Sequence, residues 1–207
     1  MEKHQKLLDF DASYGSLLAG VDEAGRGPWA GPVVAAAVII DPQKYGLLSG
    51  INDSKKIPEK KREPLFDLIA SSSLAFAITE VSHLVIDRDN ILNATLLAMA
   101  NAVEKLSVKP ALVLVDGTRC PELEGYKSEA VVDGDAKSLS IAAASILAKV
   151  HRDRIMRNYD RIFPQYGFAK HKGYGTAEHI AALKKYGICE IHRKSYKPVR
   201  EIMESVK

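Results

Sequence analysis

The sequence has few cysteines and no long hydrophobic run. Its two cysteines, Cys120 and Cys189, lie far apart, and neither belongs to a CxxC or another zinc-type spacing. No apolar run approaches the roughly 20 residues that span a bilayer. The charged start MEKHQKLLDFDASYGS is not followed by the apolar segment of a secretory signal. These absences predict a protein of the reducing cytoplasm, without a membrane segment.

The sequence also lacks a strong net charge and a P-loop. The formal net charge is only +3, so bulk charge does not by itself predict a nucleic-acid partner. No GxxxxGK[ST] motif occurs, which argues against a P-loop NTPase. The basic residues do cluster with tyrosines, in AKHKGYG at 169–175 and EIHRKSYKPVR at 190–200. Such clusters suit contacts with phosphates and sugars, although a solvated cationic surface has the same pattern.

The length and the order of predicted elements favour one α/β domain. The 207 residues contain no internal repeat, low-complexity tract or long linker. Residues 17–22 and 32–40 predict an antiparallel hairpin, and the apolar run 111–116 predicts a buried parallel strand. Further strands are predicted over 74–81 and 129–133, and helices over 58–70, 89–106, 138–158 and 176–186. This order predicts a mixed sheet flanked by helices, with 160–207 as a basic helical extension.

Carboxylates stand at the ends of the apolar strands. Asp22 and Glu23 end the first strand, Asp116 ends the run 111–116, and Asp133 and Asp135 end a third apolar stretch. Converging carboxylates repel one another unless a cation neutralises them, and their hard oxygens suit Mg²⁺ or Mn²⁺. A strand-end aspartate is also a common turn former. The residue types alone leave both interpretations open.

A series of motifs runs along nearly the whole chain. The first motif, GVDEAGRGPWAGPVVAAAVI, is long and highly specific. It is followed in order by NDSKKI at 52–57, LVDGTRCP at 114–121, GDAKSLSIAAASILAKVHRD at 134–153, FPQYGFAKHKGYGTAEH at 163–179 and HRKSYKPV at 192–199. Together these motifs resemble type 2 ribonuclease H, the bacterial ribonuclease HII family. The resemblance implies a ribonuclease H-like fold, in which a mixed sheet is flanked by helices.

The resemblance also implies a site in which four carboxylates hold two divalent cations, Mg²⁺ or Mn²⁺. Asp22, Glu23 and Asp116 match three of the four carboxylates. The family usually has a lysine, a small residue and then the fourth aspartate, whereas this chain has Asp133, Gly134 and Asp135. Alignment therefore assigns the role to Asp135. Asp133 replaces the usual lysine and, in an extended strand, would project to the same face as Asp135.

The implied activity is cleavage of the RNA strand of RNA–DNA hybrids and cleavage 5′ of single ribonucleotides in duplex DNA, leaving 3′-hydroxyl and 5′-phosphate ends. Gly25, Arg26 and Gly27 match the loop that reads the 2′-hydroxyl, where glycine lets the backbone approach a sugar closely. Tyr174 matches the tyrosine that stacks on the adjacent deoxyribose. Lys55 and the basic segment 190–200 are predicted to contact phosphates.

Some charged residues receive a structural interpretation instead. Asp153 is predicted to be a helix-surface partner of a nearby Arg or Lys, and His171 and His179 are predicted to make polar surface or backbone contacts.

Only 21 residues precede Asp22, which favours type 2 over type 3 ribonuclease H with its N-terminal domain. Proofreading exonucleases typically begin with Asp-x-Glu, not with adjacent Asp and Glu. No QxxLxxFF-like ending follows Tyr196, so we predict no protein partner for the tail. We also expect the chain to be a monomer.

Overall fold

The computed structural model describes residues 2–15, 17–51 and 57–205. Lys55, predicted to contact phosphate, lies outside the described residues. The described part contains one five-stranded sheet with the strand order β3-β2-β1-β4-β5. Its strands are β1 (Leu18–Ala24), β2 (Val33–Ile40), β3 (Ser73–Val81), β4 (Leu112–Asp116) and β5 (Ser128–Val131).

Helices cover both faces of the sheet and form the C-terminal part of the chain. They are α1 (Glu2–Ala12), α2 (Glu59–Ser71), α3 (His83–Glu104), α4 (Leu139–Ile162), α5 (Phe168–His171), α6 (Ala177–Tyr186) and α7 (Lys197–Ser205). Short 3-10 turns occur at Pro42–Leu48, Gly134–Ala136 and Pro164–Tyr166. In the described ranges, none of these helices combines the length and the apolar character that crossing a bilayer requires. The mixed sheet flanked by helices that the sequence predicts is confirmed.

The central strand β1 decides where the strand-end carboxylates lie. It pairs antiparallel with β2, as the predicted hairpin requires, and parallel with β4, where Val21 lies opposite Val115. β4 in turn pairs parallel with β5, with Asp116 opposite Val131. Since the carboxyl ends of parallel strands meet at one edge of a sheet, Asp22, Asp116 and the residues after β5 converge there.

The apolar core lies on both faces of β2, all of whose residues are buried. Val34, Ala36, Val38 and Ile40 pack in the cluster on the α4 side, and Val33, Ala35, Ala37 and Ile39 pack in the cluster on the α3 side. This alternation is the two-residue period of a strand buried between two layers of helices. Gly20 of β1 is needed for close packing, because a Cβ there would come within 2.1 Å of the Ser140 backbone at the start of α4.

Helix α3 begins earlier than the predicted 89–106 and is broken at Asn90. The backbone of Asn90 is left-handed, with φ 69°. Its side-chain oxygen accepts hydrogen bonds from the N–H groups of Leu92 and Asn93 at 2.9 and 3.1 Å. Asn90 therefore caps a second helical segment, which is the segment that the apolar spacing from Ile91 onward predicts.

Candidate active site

The convergent strand ends open into a cleft. Asp22 and Asp116 directly follow the paired residues Val21 and Val115. A cavity of about 210 Å³ lies over them, which we call the carboxylate cleft. Its lining residues come from β1, the loop after it, the end of β4, α4 and the loop after α5: Asp22, Glu23, Ala24, Gly25, Arg26, Gly27, Asp116, Ser145, Lys149 and Tyr174.

The carboxylates of the cleft are buried close together and repel one another when ionised without a cation. Burial raises the pKa of Asp22 well above its ordinary value, and the negative charges of Glu23 and Asp116 raise it further. Burial also raises the pKa of Glu23, although Arg26, whose Nη1 lies 3.6 Å from Glu23 Oε1, opposes that rise. Each carboxylate therefore disfavours ionisation of its neighbours. A bound cation would offset this repulsion between negative charges.

Local hydrogen bonds orient Asp22. Its Oδ1 accepts a hydrogen bond of 2.7 Å from the Glu23 N–H. The hydroxyl of Ser145, on α4, also hydrogen-bonds to its side chain. These hydrogen bonds favour the ionised carboxylate and oppose the effect of burial on its pKa. They also fix the orientation of the side chain for a ligand.

Asp135 lies beside the cleft and does not line it. Asp135 is buried, in the 3-10 turn between β5 and α4. The turn is attached to the third carboxylate, because the Gly134 N–H donates a 2.7 Å hydrogen bond to Asp116 Oδ1. The structure thus brings Asp22, Glu23 and Asp116 together in one cavity and places Asp135 next to Asp116 through this turn.

The expectation that Asp133 lies in an extended strand, on the same face as Asp135, is wrong. The strand predicted over 129–133 ends at Val131. Asp133 has a left-handed backbone, with φ 53° and ψ 41°, and the 3-10 turn begins after it. Because the chain is not extended there, Asp133 and Asp135 do not share a face: Asp133 is exposed and Asp135 is buried.

The donor set of the cleft fits a hard divalent cation. Its acidic ligands are all carboxylates, which suit Mg²⁺ or Mn²⁺, and it offers neither thiolate nor imidazole. Nowhere in residues 2–15, 17–51 and 57–205 do three or more His, Cys, Asp or Glu side chains already surround a common metal position. The raised pKa values of Asp22 and Glu23 are the observation that favours a cation at this place.

The glycine loop after β1 forms one wall of the cleft. Gly25 has φ +101°, and a Cβ there would lie 2.1 Å from Arg152 Nε, so this position requires glycine. A Cβ at Gly27 would lie 3.4 Å from Cε1 of Tyr174, so the tyrosine ring borders the loop directly. Tyr174 is 46% exposed and faces solvent beside the loop. The predicted loop residues and the predicted tyrosine therefore meet in one place.

Two buried arginines support this loop, a role that was not predicted from the sequence. Arg193 belongs to the segment 190–200, predicted to contact phosphates, but it is fully buried. It donates to backbone carbonyls of the loop, including those of Gly25 and Arg26. Arg152 is 1% exposed and donates 3.0 Å hydrogen bonds to the carbonyls of Ala30 and Pro32. The sequence of a basic segment does not indicate which of its arginines will be buried and bonded to backbone carbonyls.

Lys149 is a further cleft residue that was not predicted. Its Nζ lies 2.7 Å from Asp153 Oδ1, one helical turn along α4. Arg62 of α2 contacts the other oxygen of Asp153 at 3.2 Å. The predicted pairing of Asp153 with a basic residue is therefore present, but its predicted surface location is wrong, because only 4% of its side chain is exposed. The i,i+4 spacing of Lys149 and Asp153 was the available signal.

His171 and His179 contact the backbone as predicted, but they are buried and not on the surface. Nε2 of His171 lies 2.7 Å from the Tyr166 carbonyl, and Nδ1 of His179 lies 3.0 Å from the Tyr174 carbonyl. Because a carbonyl only accepts, Nδ1 of His179 carries the proton, and its Nε2 accepts from His192 Nε2 at 3.0 Å. Burial lowers the pKa of both His179 and His192 to about 4.

The family model and the most similar curated proteins agree on one family. The model of the family described as Ribonuclease HII matches residues 19–199. Ribonuclease HII 1 of Methylibium petroleiphilum is 59% identical over 184 residues, which cover 89% of this chain and 91% of that protein. Ribonuclease HII of Burkholderia thailandensis is 54% identical over 203 residues, covering 98% of this chain and 93% of that protein.

The fold agrees with the sequence comparison. The crystal structure of ribonuclease H2 from Pyrococcus horikoshii superposes with a TM-score of 0.78 at 29% identity, covering 91% of this chain and 97% of that one. The carboxylate cleft lies within the residues that the family model matches. The chain therefore belongs to the ribonuclease HII family of divalent-metal-dependent endoribonucleases, which act on RNA–DNA hybrids.

Proposed function

We propose that this chain, besides cutting the RNA strand of RNA–DNA hybrids, cuts duplex DNA on the 5′ side of a single embedded ribonucleotide and leaves 3′-hydroxyl and 5′-phosphate ends. The observation that carries the proposal is the shared cavity. Asp22, Glu23 and Asp116 line it together with the Gly25–Gly27 loop and Tyr174. Groups suited to hydrolysis and groups suited to recognising one sugar thus lie within about 210 Å³.

We assign two divalent cations, Mg²⁺ or Mn²⁺, to Asp22, Glu23, Asp116 and Asp135. Such cations, when bound, neutralise charge at the scissile phosphate and activate a water molecule. The four carboxylates supply hard oxygen ligands. Burial raises the pKa of Asp22 and Glu23, so ionisation of these two without a cation is unfavourable. Arg26, at the edge of the cleft, adds a positive charge where a phosphate approaches Glu23.

The loop and Tyr174 would select the nucleotide. The 2′-hydroxyl is the sugar group that distinguishes a ribonucleotide from the deoxyribonucleotides around it. Backbone groups at Gly25 and Gly27 approach a sugar without an intervening Cβ. The ring of Tyr174, exposed and packed against Gly27, offers a flat face to the neighbouring deoxyribose.

Phosphate contacts are assigned to lysines and to one arginine. Lys194, Lys197 and Arg200 are exposed members of the segment 190–200 and keep this predicted role. Lys55 keeps it as well, on the sequence alone. Lysine supplies positive charge without reading bases, which suits an enzyme that ignores sequence.

Three further proposals rest on the sequence. Residues 1–207 form a single domain with 160–207 as its helical, basic extension. The chain acts as a monomer without a protein partner. It works in the reducing cytoplasm, which agrees with Cys120 and Cys189 both being free thiols.

The substitution Asp116→Asn tests the assignment of the cleft. We expect Mg²⁺-dependent cleavage to fall by more than the roughly 100-fold typical of residues that only support a metal ligand. Duplex binding should persist, because the variant removes a negative charge and no phosphate contact. Asp67→Asn, at an exposed position of α2, is the matched control and should cleave like the wild type. Retained Mg²⁺-dependent cleavage by Asp116→Asn would contradict the proposal.

A further inference from the structure

We propose that Arg193 and Tyr196 are positioning residues for ribonucleotide selectivity. By holding the carbonyls of Gly25 and Arg26, they aim the N–H groups of Arg26 and Gly27 into the carboxylate cleft, where these groups donate to the 2′-oxygen. The inference rests on the proposed function of the glycine loop. It adds two side chains that lie behind the loop and do not touch the substrate.

Arg193 and Tyr196 hydrogen-bond to the glycine loop and to each other. Nη2 of Arg193 donates to the Gly25 carbonyl at 2.6 Å, and its Nη1 donates to the Arg26 carbonyl at 3.0 Å. The hydroxyl of Tyr196 donates to the same Arg26 carbonyl at 2.5 Å and accepts from Arg193 Nη1 at 2.9 Å. The Arg26 carbonyl is therefore held by two donors, which also hold each other.

Arg193 has no donor left for a phosphate. A guanidinium group carries five N–H donors. Besides the three bonds given above, Nε donates to the Gly31 carbonyl at 3.0 Å and Nη2 donates to the Pro32 carbonyl at 3.2 Å. All five donors of this fully buried side chain are thus directed to the glycine loop and to Tyr196.

Fixing a carbonyl of the loop also fixes the direction of the N–H group in the same peptide bond. A trans peptide is planar, and its N–H points opposite to its C=O. The described residues contain no cis peptide. The Arg26 and Gly27 N–H groups therefore point away from Arg193, and both residues line the cleft. Within the described part of the chain, neither N–H donates to a backbone carbonyl.

The turn that carries Arg193 and Tyr196 is itself anchored. Asp87 of α3 accepts hydrogen bonds of 2.9 Å from the N–H groups of both Lys194 and Ser195. Its Oδ1 also accepts from the Ser195 hydroxyl at 2.6 Å. A reversal of either peptide in the loop would break bonds to a buried charge, so the loop keeps one orientation of its donors.

Tyr196→Phe tests the inference because it removes one hydroxyl and keeps the ring. The assay measures kcat and KM on duplex DNA with one ribonucleotide, and the inhibition constant of the all-DNA duplex of the same sequence. We expect kcat/KM on the ribonucleotide to fall about three- to tenfold, the effect of one weakened hydrogen bond. The inhibition constant of the all-DNA duplex should stay within about twofold, because that duplex has no 2′-hydroxyl to read.

Two further variants separate positioning from folding. Tyr186→Phe removes the hydroxyl of a half-exposed tyrosine and should leave both quantities unchanged. Arg193→Lys has fewer donors and should lose more selectivity, with a lower melting temperature; if it does not fold, Tyr196→Phe still decides. Wild-type values for Tyr196→Phe would overturn the inference and leave the proposed function intact. A wild-type enzyme that does not cut at single ribonucleotides would overturn both.

Discussion

The backbone N–H of Gly134 donates a 2.7 Å hydrogen bond to Oδ1 of Asp116. This bond ties the turn before α4 to the end of β4, and Asp135 directly follows Gly134. A Cβ at Gly134 would lie 3.1 Å from the same oxygen and 2.6 Å from Cδ1 of Ile141. The third and fourth proposed metal ligands are therefore tied to one short turn, whose backbone packs closely against a carboxylate at a glycine.

We predict that Gly134→Ala impairs activity more than stability. The added methyl pushes against Ile141 and Asp116, and we expect about 1–2 kcal/mol of lost unfolding free energy, typical of mild overpacking. Mg²⁺-dependent cleavage should fall about 10–100-fold, as for residues that orient a metal ligand. Urea unfolding and cleavage kinetics measure the two effects. Gly46→Ala, where nothing lies within 4 Å of the added Cβ, is the control; equal effects in both variants would contradict the prediction.

The choice between Asp133 and Asp135 is tested by replacing each with asparagine. Asp135→Asn should abolish most metal-dependent cleavage, because it removes the fourth proposed ligand beside Asp116. Asp133→Asn should keep activity within about threefold, because this side chain is exposed and its charge is screened by solvent. Cleavage rates at several Mg²⁺ concentrations provide the comparison. The opposite ranking would show that the turn places Asp133 at the metals.

Asp153 is predicted to be a stability residue. Asp153→Asn leaves Arg62 and Lys149 without their shared, buried carboxylate, and we expect a loss of about 2–4 kcal/mol in unfolding free energy. The control is Asp89→Asn, which breaks an ion pair with Arg88 at an exposed site and should cost far less stability, because solvent screens an exposed pair. Equal stability changes in a denaturant titration of the two variants would refute this account of Asp153.

The pair of His179 and His192 predicts a loss of stability at acid pH. Their pKa values of about 4 lie below the unfolded value of about 6.5. The unfolded chain therefore binds more protons between these values. The stability linked to the pair is complete above pH 6.5 and is lost as the pH falls through 4. We expect the unfolding free energy to fall by at least about 2 kcal/mol between pH 7 and pH 4.5.

Two variants assign this pH dependence to the buried pair. His192→Asn should flatten it, because one of the two buried imidazoles no longer titrates. His151→Gln removes a partly exposed imidazole that pairs with Glu80, and it should keep most of the wild-type slope. A slope in His192→Asn as steep as that of the wild type would place the titrating groups elsewhere.

The regular elements of the fold were accessible from the sequence because local pattern and burial agree there. The apolar runs of β1, β2 and β4 are buried on both faces, and their pairing follows from the Gly/Pro turn and from the crossover. Helix α1 was not predicted, because it is highly charged. It is held to the rest of the chain by Leu7, which is buried in the core, and by Asp11, which accepts bonds from the Ser140 N–H and hydroxyl at the start of α4. No local pattern reveals such a contact across 129 residues.

The site was only partly predictable, for a similar reason. Asp22 and Asp116 end apolar strands, which is a local signal. The orientation of Asp133 depends on a left-handed backbone that neither its residue type nor the strand pattern indicates. Arg193 is predicted to contact phosphate and His179 to make polar surface or backbone contacts, yet both are fully buried because backbone carbonyls accept their hydrogen bonds.

Cleavage of duplex DNA that contains one ribonucleotide, with the cut position and the end groups mapped, tests whether the carboxylate cleft and the glycine loop act together. With Mg²⁺, we predict a single cut on the 5′ side of the ribonucleotide, leaving a 3′-hydroxyl and a 5′-phosphate, and no cut when the cation is chelated. Cleavage of long RNA–DNA hybrids together with no cleavage of this duplex would contradict it, as would cleavage that persists without a divalent cation.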